Sequence, residues 1–281
     1  MPHRSLVVLV GATLGLALTV PAVLHAQPAQ QAQPAQSPPA KAPPAPDARA
    51  KAIADVVAAN HILADQNVVD GFGHVSIRDP SDPNKFLMAR SMAPEMVTAA
   101  DVLVHDLDGN TPAPGNIKLY LERFIHGEIY RARPDVNAIV HCHSPSLIPF
   151  GATSIALHPL YHMSAFLGPG VPVFEIRKAA GGSSDMLVRT PELGKALAQT
   201  LGTKPAALMR GHGAVIVGRD VQQAVFRSVY TELNARLQSQ AMALGSKVIY
   251  LDADEAKKAE ETNNGNIGRA WDLWLRKVKD R

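Results

Sequence analysis

His141 and His143, two residues apart in the run AIVHCH at 138–143, are the pair on which chemistry in this chain can be built. Side chains alternate along a strand, so both imidazoles point to one face and Cys142 to the other. Two imidazoles on one face supply half of a tetrahedral or octahedral shell for a divalent cation. Glu122 and His126 lie four apart in the preceding segment, and on a helix they share a face. A helix packed back beside the strand would bring the Glu122 carboxylate to the same metal. His212 stands between Gly211 and Gly213, where two apolar runs meet. Glycines there let backbones approach closely and present the imidazole uncrowded, which makes His212 the natural third ligand. Three histidines and a carboxylate leave a position open for a substrate oxygen, as catalytic sites do. Taken singly, each feature has an ordinary alternative: satisfied histidines near a surface, or a plain Gly-His-Gly turn. The set together favours a metal.

These residues need elements to hold them. Leu119, Phe124, Ile125 and Ile129 recur at helical spacing, and Pro134 stops the run, which predicts a helix over 119–133 leading into the strand 138–143. Upstream, a helix is expected over 48–65. A glycine-opened strand at 71–78 follows, then a DPSDPN turn into a strand at 85–89, and another strand at 102–106. Downstream come a short helix around Met163, a strand over 171–176, a flexible loop at 179–184 and a helix over 191–201 capped by Thr190. Strands at 206–209 and 214–217 flank His212. Asp220 then caps a long helix to about Leu244, with Val221, Val225, Val229, Leu233 and Leu237 as its buried stripe. Strands outnumber a simple alternation with helices, so a mixed sheet covered by helices on both faces is expected.

The chain has 281 residues, 46% hydrophobic and 5% aromatic, with a net charge of +3. Acids and bases are interspersed, and no basic run carries interleaved aromatics, which excludes a nucleic-acid partner. A single cysteine excludes an internal disulfide. Arg4 followed by an apolar or small run over 6–20, broken by Pro21, reads as a signal peptide over 1–26 with cleavage after Ala22 or Ala26. That makes the protein exported, to the periplasm, with no membrane attachment after cleavage. The alternative is an uncleaved anchor, because the run extended through Val23 and Leu24 nearly reaches spanning length. A Pro-, Gln- and Ala-rich linker covers 27–47, a catalytic domain 48–250 and a helical tail 251–281. In the tail, Trp271 and Trp274 form an apolar edge that needs a partner surface.

In chain order, Gly71-Phe72-Gly73-His74-Val75-Ser76-Ile77-Arg78, Glu122 with Ile125-His126, Arg133-Pro134-Asp135-Val136, Val140-His141-Cys142-His143-Ser144 and Met209-Arg210-Gly211-His212-Gly213 resemble the class II aldolase and adducin superfamily. The resemblance covers about residues 48–244. It implies an α/β fold of three α/β/α layers around a mixed, largely antiparallel sheet. It implies one zinc- or manganese-type cation per subunit and a homotetramer with active sites near subunit boundaries. His141, His143 and His212 match the family's metal ligands. Glu122 matches its acidic residue, a ligand at rest or an acid/base. Gly73 and His74 match the first substrate-binding loop.

The departures from the family carry information. Its sugar-phosphate aldolases have Gly-Asn where this chain has Gly73-His74, and a serine pair where it has Tyr120-Leu121. Without those hydroxyls a phosphate dianion is poorly paired, which costs binding steeply. Where the aldolases have a catalytic tyrosine, His162 stands before Met163, so a histidine takes that catalytic place. The runs 86–94, 120–133 and 205–213 more closely resemble the decarboxylase branch, which acts on hydroxylated aromatic or pyridine dicarboxylates and carboxymuconic semialdehydes. The resemblance thus implies a metal-dependent lyase for a small carboxylate, with Glu122 moving the proton and His74 and His162 orienting substrate or sharing the transfer. Arg90, beside Ser91, would grip a second carboxylate as a fork, or is an ordinary surface arginine. An aldolase for an unphosphorylated hydroxy-carbonyl compound and a non-catalytic adducin-like module are the other readings.

Overall fold

In the computed structural model, residues 46–112 and 115–279 are described. The expected leader over 1–26 and the expected linker up to residue 45 lie outside them. The strands are β1 (His74–Arg78), β2 (Lys85–Ala89), β3 (Val102–Asp106), β4 (Ala138–Cys142), β5 (Val173–Phe174), β6 (Ala206–Met209) and β7 (Gly213–Gly218). They form one sheet in the order β3-β2-β1-β4-β7-β6-β5. Every pairing is antiparallel except β5 with β6.

Strand parity divides the core into two layers. Val75, Val140, Cys142, Leu208, Ala214 and Ile216 face a cluster built with α1 (Pro46–Asp65), the long α6 (Val221–Ala243) and α8 (Ile267–Lys279). Ile139, Ala207, Met209, Val215 and Val217 face the other side, against α2 (Arg123–Ala132) and α5 (Pro191–Leu201). The result is the expected three-layer α/β/α arrangement. Parity also decides the chemistry: His74, Ser76 and His141 share the α2 side with Ile139. A short α3 (Ile148–Ala152) and α4 (Ile176–Ala180) fill connections, and α7 (Ala253–Asn264) packs on the turn His162–Leu167. Trp271 and Trp274 are buried against this chain's own body, alongside Phe226 and Leu63. Among the described residues no helix is long and apolar enough to cross a membrane.

Caps fall where the sequence puts them. The Thr190 hydroxyl accepts from the Leu193 N–H, and the Asp220 carboxylate from the Gln223 N–H. Other elements differ from expectation. The helix expected over 119–133 begins only at Arg123. The Tyr120 hydroxyl donates to the Met92 carbonyl at 2.5 Å, which holds that stretch off the helix axis. Glu122 therefore sits at the N-cap and does not share a helix face with His126. The strand expected over 171–176 shrinks to Val173–Phe174, because Glu175 caps α4, and α4 takes up the first part of the expected loop. The buried stripe of α6 keeps Val221, Val225 and Val229, but then turns polar. Asn234 and Gln238 replace Leu233 and Leu237 in the interior because they satisfy the backbone of segment 156–160, which passes over them with Leu157 and Pro159 buried. Asn234 bonds the Leu160 N–H and the His158 carbonyl; Gln238 bonds the His158 N–H and the Ala156 carbonyl.

Candidate metal centre

β4 delivers His141 directly and His143 one residue past its end. β7 pairs with β4 through Cys142 opposite Ala214, which sets the Gly211-His212-Gly213 turn beside both. Glu122 enters from the N-cap of α2. One ligand atom from each of Glu122, His141, His143 and His212 lies within 4.8 Å of the others. The Nε2 atoms of His141 and His143 are 3.1 Å apart, and those of His212 and His143 2.9 Å. Glu122 Oε2 is 3.3 Å from His141 Nε2 and 3.4 Å from His212 Nε2.

Hydrogen bonds behind the rings fix what they present. His141 Nδ1 donates to the Ala214 carbonyl at 3.1 Å, and His212 Nδ1 to the Met186 carbonyl at 3.0 Å. Both rings thus carry their proton on Nδ1 and turn an Nε2 lone pair inward. Glu122 Oε1 accepts from the Val188 N–H at 2.9 Å, which leaves Oε2 for the cluster. A single proton on His143 Nε2 could serve one of these close contacts but not all. Electron pairs converging from two tautomer-locked imidazoles, a third imidazole and a buried carboxylate are the donor set of a divalent cation. Burial alone would raise the Glu122 carboxyl, but His141 and His212, when protonated, outweigh it and hold it well below the usual carboxylate range. Burial would lower His212, but Glu122 raises it in turn, so a cation entering the cluster takes the place of a proton there. Burial, then His141 and His212, bring His143 down to about 4, so it is neutral and able to ligate.

The cluster closes one end of a cavity of about 310 Å³ lined by Gly71, Phe72, Gly73, His74, Ser91, Met92, Ala93, Tyr120, Leu121 and Leu187, besides Glu122, His141 and His143. That volume suits a single-ring molecule. Of the residues expected to bind substrate, Gly73, His74 and Ser91 line this cavity. Gly73 takes φ +96°, and a side chain there would run into Val69, so only glycine fits. Arg90 does not line it: its guanidinium is paired with Asp101, Nε to Oδ1 at 2.7 Å. The chain does not bring its own His162 to the cluster either. His162 is exposed, opening the turn His162–Leu167, and lines a separate cavity with Asn263, Arg269 and Trp274.

Phe72 and Leu187 join the site without a role assigned to them from the sequence. Phe72 stacks on His143 at 6.3 Å between centroids, and Leu187 arrives from the loop before α5. His126 is fully buried beneath His74, with its Nε2 2.7 Å from His74 Nδ1. Burial first, then neighbouring histidines, hold His74 and His126 well below 6.5, so both rings are neutral.

Residues 54–239 match the sequence profile of the Class II Aldolase and Adducin N-terminal domain. The chain is 34% identical over 248 residues to the decarboxylase tropJ of Talaromyces stipitatus, covering 79% of this chain and 92% of that protein. It is 30% identical over 231 residues to the 3,4-dihydroxyphthalate decarboxylase of Arthrobacter keyseri, covering 77% of this chain and 89% of the relative. Among solved structures, the L-fuculose 1-phosphate aldolase of Glaciozyma antarctica superposes with a TM-score of 0.70 at 23% identity, over 87% of this chain and 94% of that one, a likeness of fold.

Proposed function

The chain belongs to the class II aldolase and adducin family as a metal-dependent lyase, and we propose that it is a carboxy-lyase that decarboxylates a small hydroxylated carboxylic acid, aromatic or semialdehyde. The observation that carries this is the wall beside the metal centre. Phe72, Met92, Tyr120, Leu121 and Leu187 offer a flat ring an apolar surface, while Ser91 is the one hydroxyl-bearing side chain besides Tyr120 among the lining residues. A phosphate dianion would find few donors there; a ring carrying a carboxylate and a hydroxyl finds both contact and polar partners.

His141, His143 and His212 would hold the cation, zinc or manganese, with Glu122 completing the set only while no substrate is bound. When bound, the cation supplies Lewis acidity that stabilises negative charge developing on a substrate oxygen. The residues supply the rest. Glu122, ionised and held by the Val188 N–H, takes the proton of the substrate hydroxyl through Oε2. Glu122 passes that proton to the carbon bearing the carboxylate, which leaves a carbonyl at the neighbouring oxygen. The bond to the carboxylate then breaks, carbon dioxide leaves, and the electron pair passes through the carbon to that carbonyl oxygen, which regains a proton from solvent. His74 and Ser91 orient the acid, and Phe72 and Leu121 offer its ring an apolar surface. His162 would enter such a cavity only from a second copy, in keeping with the homotetramer that the family resemblance implies.

The test is product analysis. Metal-loaded protein is incubated with hydroxylated aromatic acids, including 3,4-dihydroxyphthalate, and with unphosphorylated hydroxy-carbonyl compounds. Carbon dioxide matched by loss of the acid is expected. An aldehyde with a ketol fragment, and no carbon dioxide, would replace this reading with aldol cleavage.

A further inference from the structure

Four buried side chains form a hydrogen-bonded row behind the cavity, running from β1 to the last turn of α2. His74 Nδ1 faces His126 Nε2 at 2.7 Å, His126 Nδ1 faces Ser76 Oγ at 2.6 Å, and Ser76 Oγ faces the Tyr130 hydroxyl at 2.8 Å. All four are at most 4% exposed. Strand parity makes the row: His74 and Ser76 are two apart on β1, and His126 and Tyr130 are four apart on α2, so each pair shares a face.

We infer that this row fixes His74 as the neutral tautomer with its proton on Nε2, which makes it a donor to a carboxylate or ring oxygen of the bound acid. The direction follows from the closed end. Among the described residues the Tyr130 hydroxyl has one hydrogen-bond partner, Ser76. Were the row to run outward from His74, the last hydrogen, on Tyr130, would be buried with no acceptor and would carry the full desolvation penalty of an unpaired donor. Running inward from Tyr130, every hydrogen is used: Tyr130 donates to Ser76, Ser76 to His126 Nδ1, and His126 Nε2 to His74 Nδ1. The one hydrogen left over is on His74 Nε2, and His74 lines the cavity, where a ligand oxygen can accept it. Burial also pushes the Tyr130 phenol upward, so it keeps the proton it donates. His74 contacts substrate; His126, Ser76 and Tyr130 are positioning residues. The identity of the accepting oxygen rests on the decarboxylase reading, whereas the tautomer does not.

The experiment is a long-range 1H–15N spectrum of the metal-loaded full chain labelled with 15N-histidine, with His74 assigned by the signals that vanish in His74→Gln. The expected spectrum has a protonated Nε2 and a bare Nδ1 at His74. Ser76→Ala removes the donor to His126, and a mixture of His74 tautomers is expected, with kcat/KM lowered about tenfold, mainly through KM. Tyr130→Phe leaves the Ser76 hydrogen only His126 to go to, so the Nε2–H form should persist. A protonated Nδ1 at His74 in the wild type, or in Tyr130→Phe, would overturn the inference. The spectrum needs no turnover, so a failed decarboxylation assay would overturn the proposed reaction and leave this result to stand or fall alone.

Discussion

A Cβ placed on Gly213 would lie 1.9 Å from the carbonyl oxygen of Cys142. The glycine after His212 is therefore where β7 comes close enough to β4 for His212 to meet His141 and His143. A side chain there must push the two strands apart and take His212 with it.

Gly213→Ala should cost about 3 kcal/mol, the upper end for forcing atoms into a packed interior. That corresponds to roughly 9 °C in Tm for a domain of this size. Metal affinity should fall as well. Calorimetry and metal content of the purified variant check this; a wild-type Tm would show that the strands give way freely.

His141→Ala and His212→Ala should each remove the bound divalent metal while leaving the circular dichroism spectrum unchanged. Both side chains serve the cluster, and the nearby backbone is held by the β4–β7 ladder. Elemental analysis against protein concentration gives the answer. A full equivalent of metal in either variant would sink the ligand assignment.

Glu122→Gln keeps the shape and the Val188 contact but removes the base. Turnover should drop roughly 10²–10⁴-fold, the range for losing a general acid/base. The three histidines should still retain metal, at reduced affinity. Steady-state carbon dioxide release on metal-saturated variant measures it, and wild-type turnover would exclude Glu122 from proton transfer.

Stability should fall as pH drops from 6.5 toward 4. Burial brings His105 down to about 4, and its ring stacks on Phe86 at 5.0 Å. The folded chain keeps this ring neutral while the unfolded chain takes up a proton below 6.5, so the unfolded state gains as pH falls. The full interval corresponds to at most about 3 kcal/mol. Urea midpoints at pH 7 and pH 4.5 should differ less in His105→Leu than in wild type; equal losses would rule His105 out as a source.

That His141, His143 and His212 meet in one cluster was legible because His-x-His on a strand and Gly-His-Gly at a strand junction are local patterns. Caps were legible for the same reason, as Thr190 and Asp220 act within one turn. What stayed hidden depends on contacts between distant segments. Tyr120 leaves the helix for Met92, which moves Glu122 to the N-cap. Asn234 and Gln238 are buried because a loop some eighty residues upstream needs their amides. The cavity wall joins Phe72 to Leu187, and the row behind His74 exists only once β1 and α2 are in register. Arg90 looked like a carboxylate fork because nothing local foretells its pairing with Asp101.

From the apolar run at residues 6–20 we propose that the chain is exported and loses its leader. N-terminal sequencing of the mature exported protein should begin at Val23 or Gln27. A mature chain still carrying Met1 would favour the uncleaved anchor.

One cation, held by His141, His143, His212 and Glu122, should be required for loss of carbon dioxide. The direct measurement titrates zinc or manganese into chelator-stripped full chain while carbon dioxide release from a hydroxylated aromatic acid is recorded at each addition. The release rate should rise from near zero and level off at one equivalent per chain. Release that is undiminished by stripping, or metal that binds without restoring it, would contradict the account.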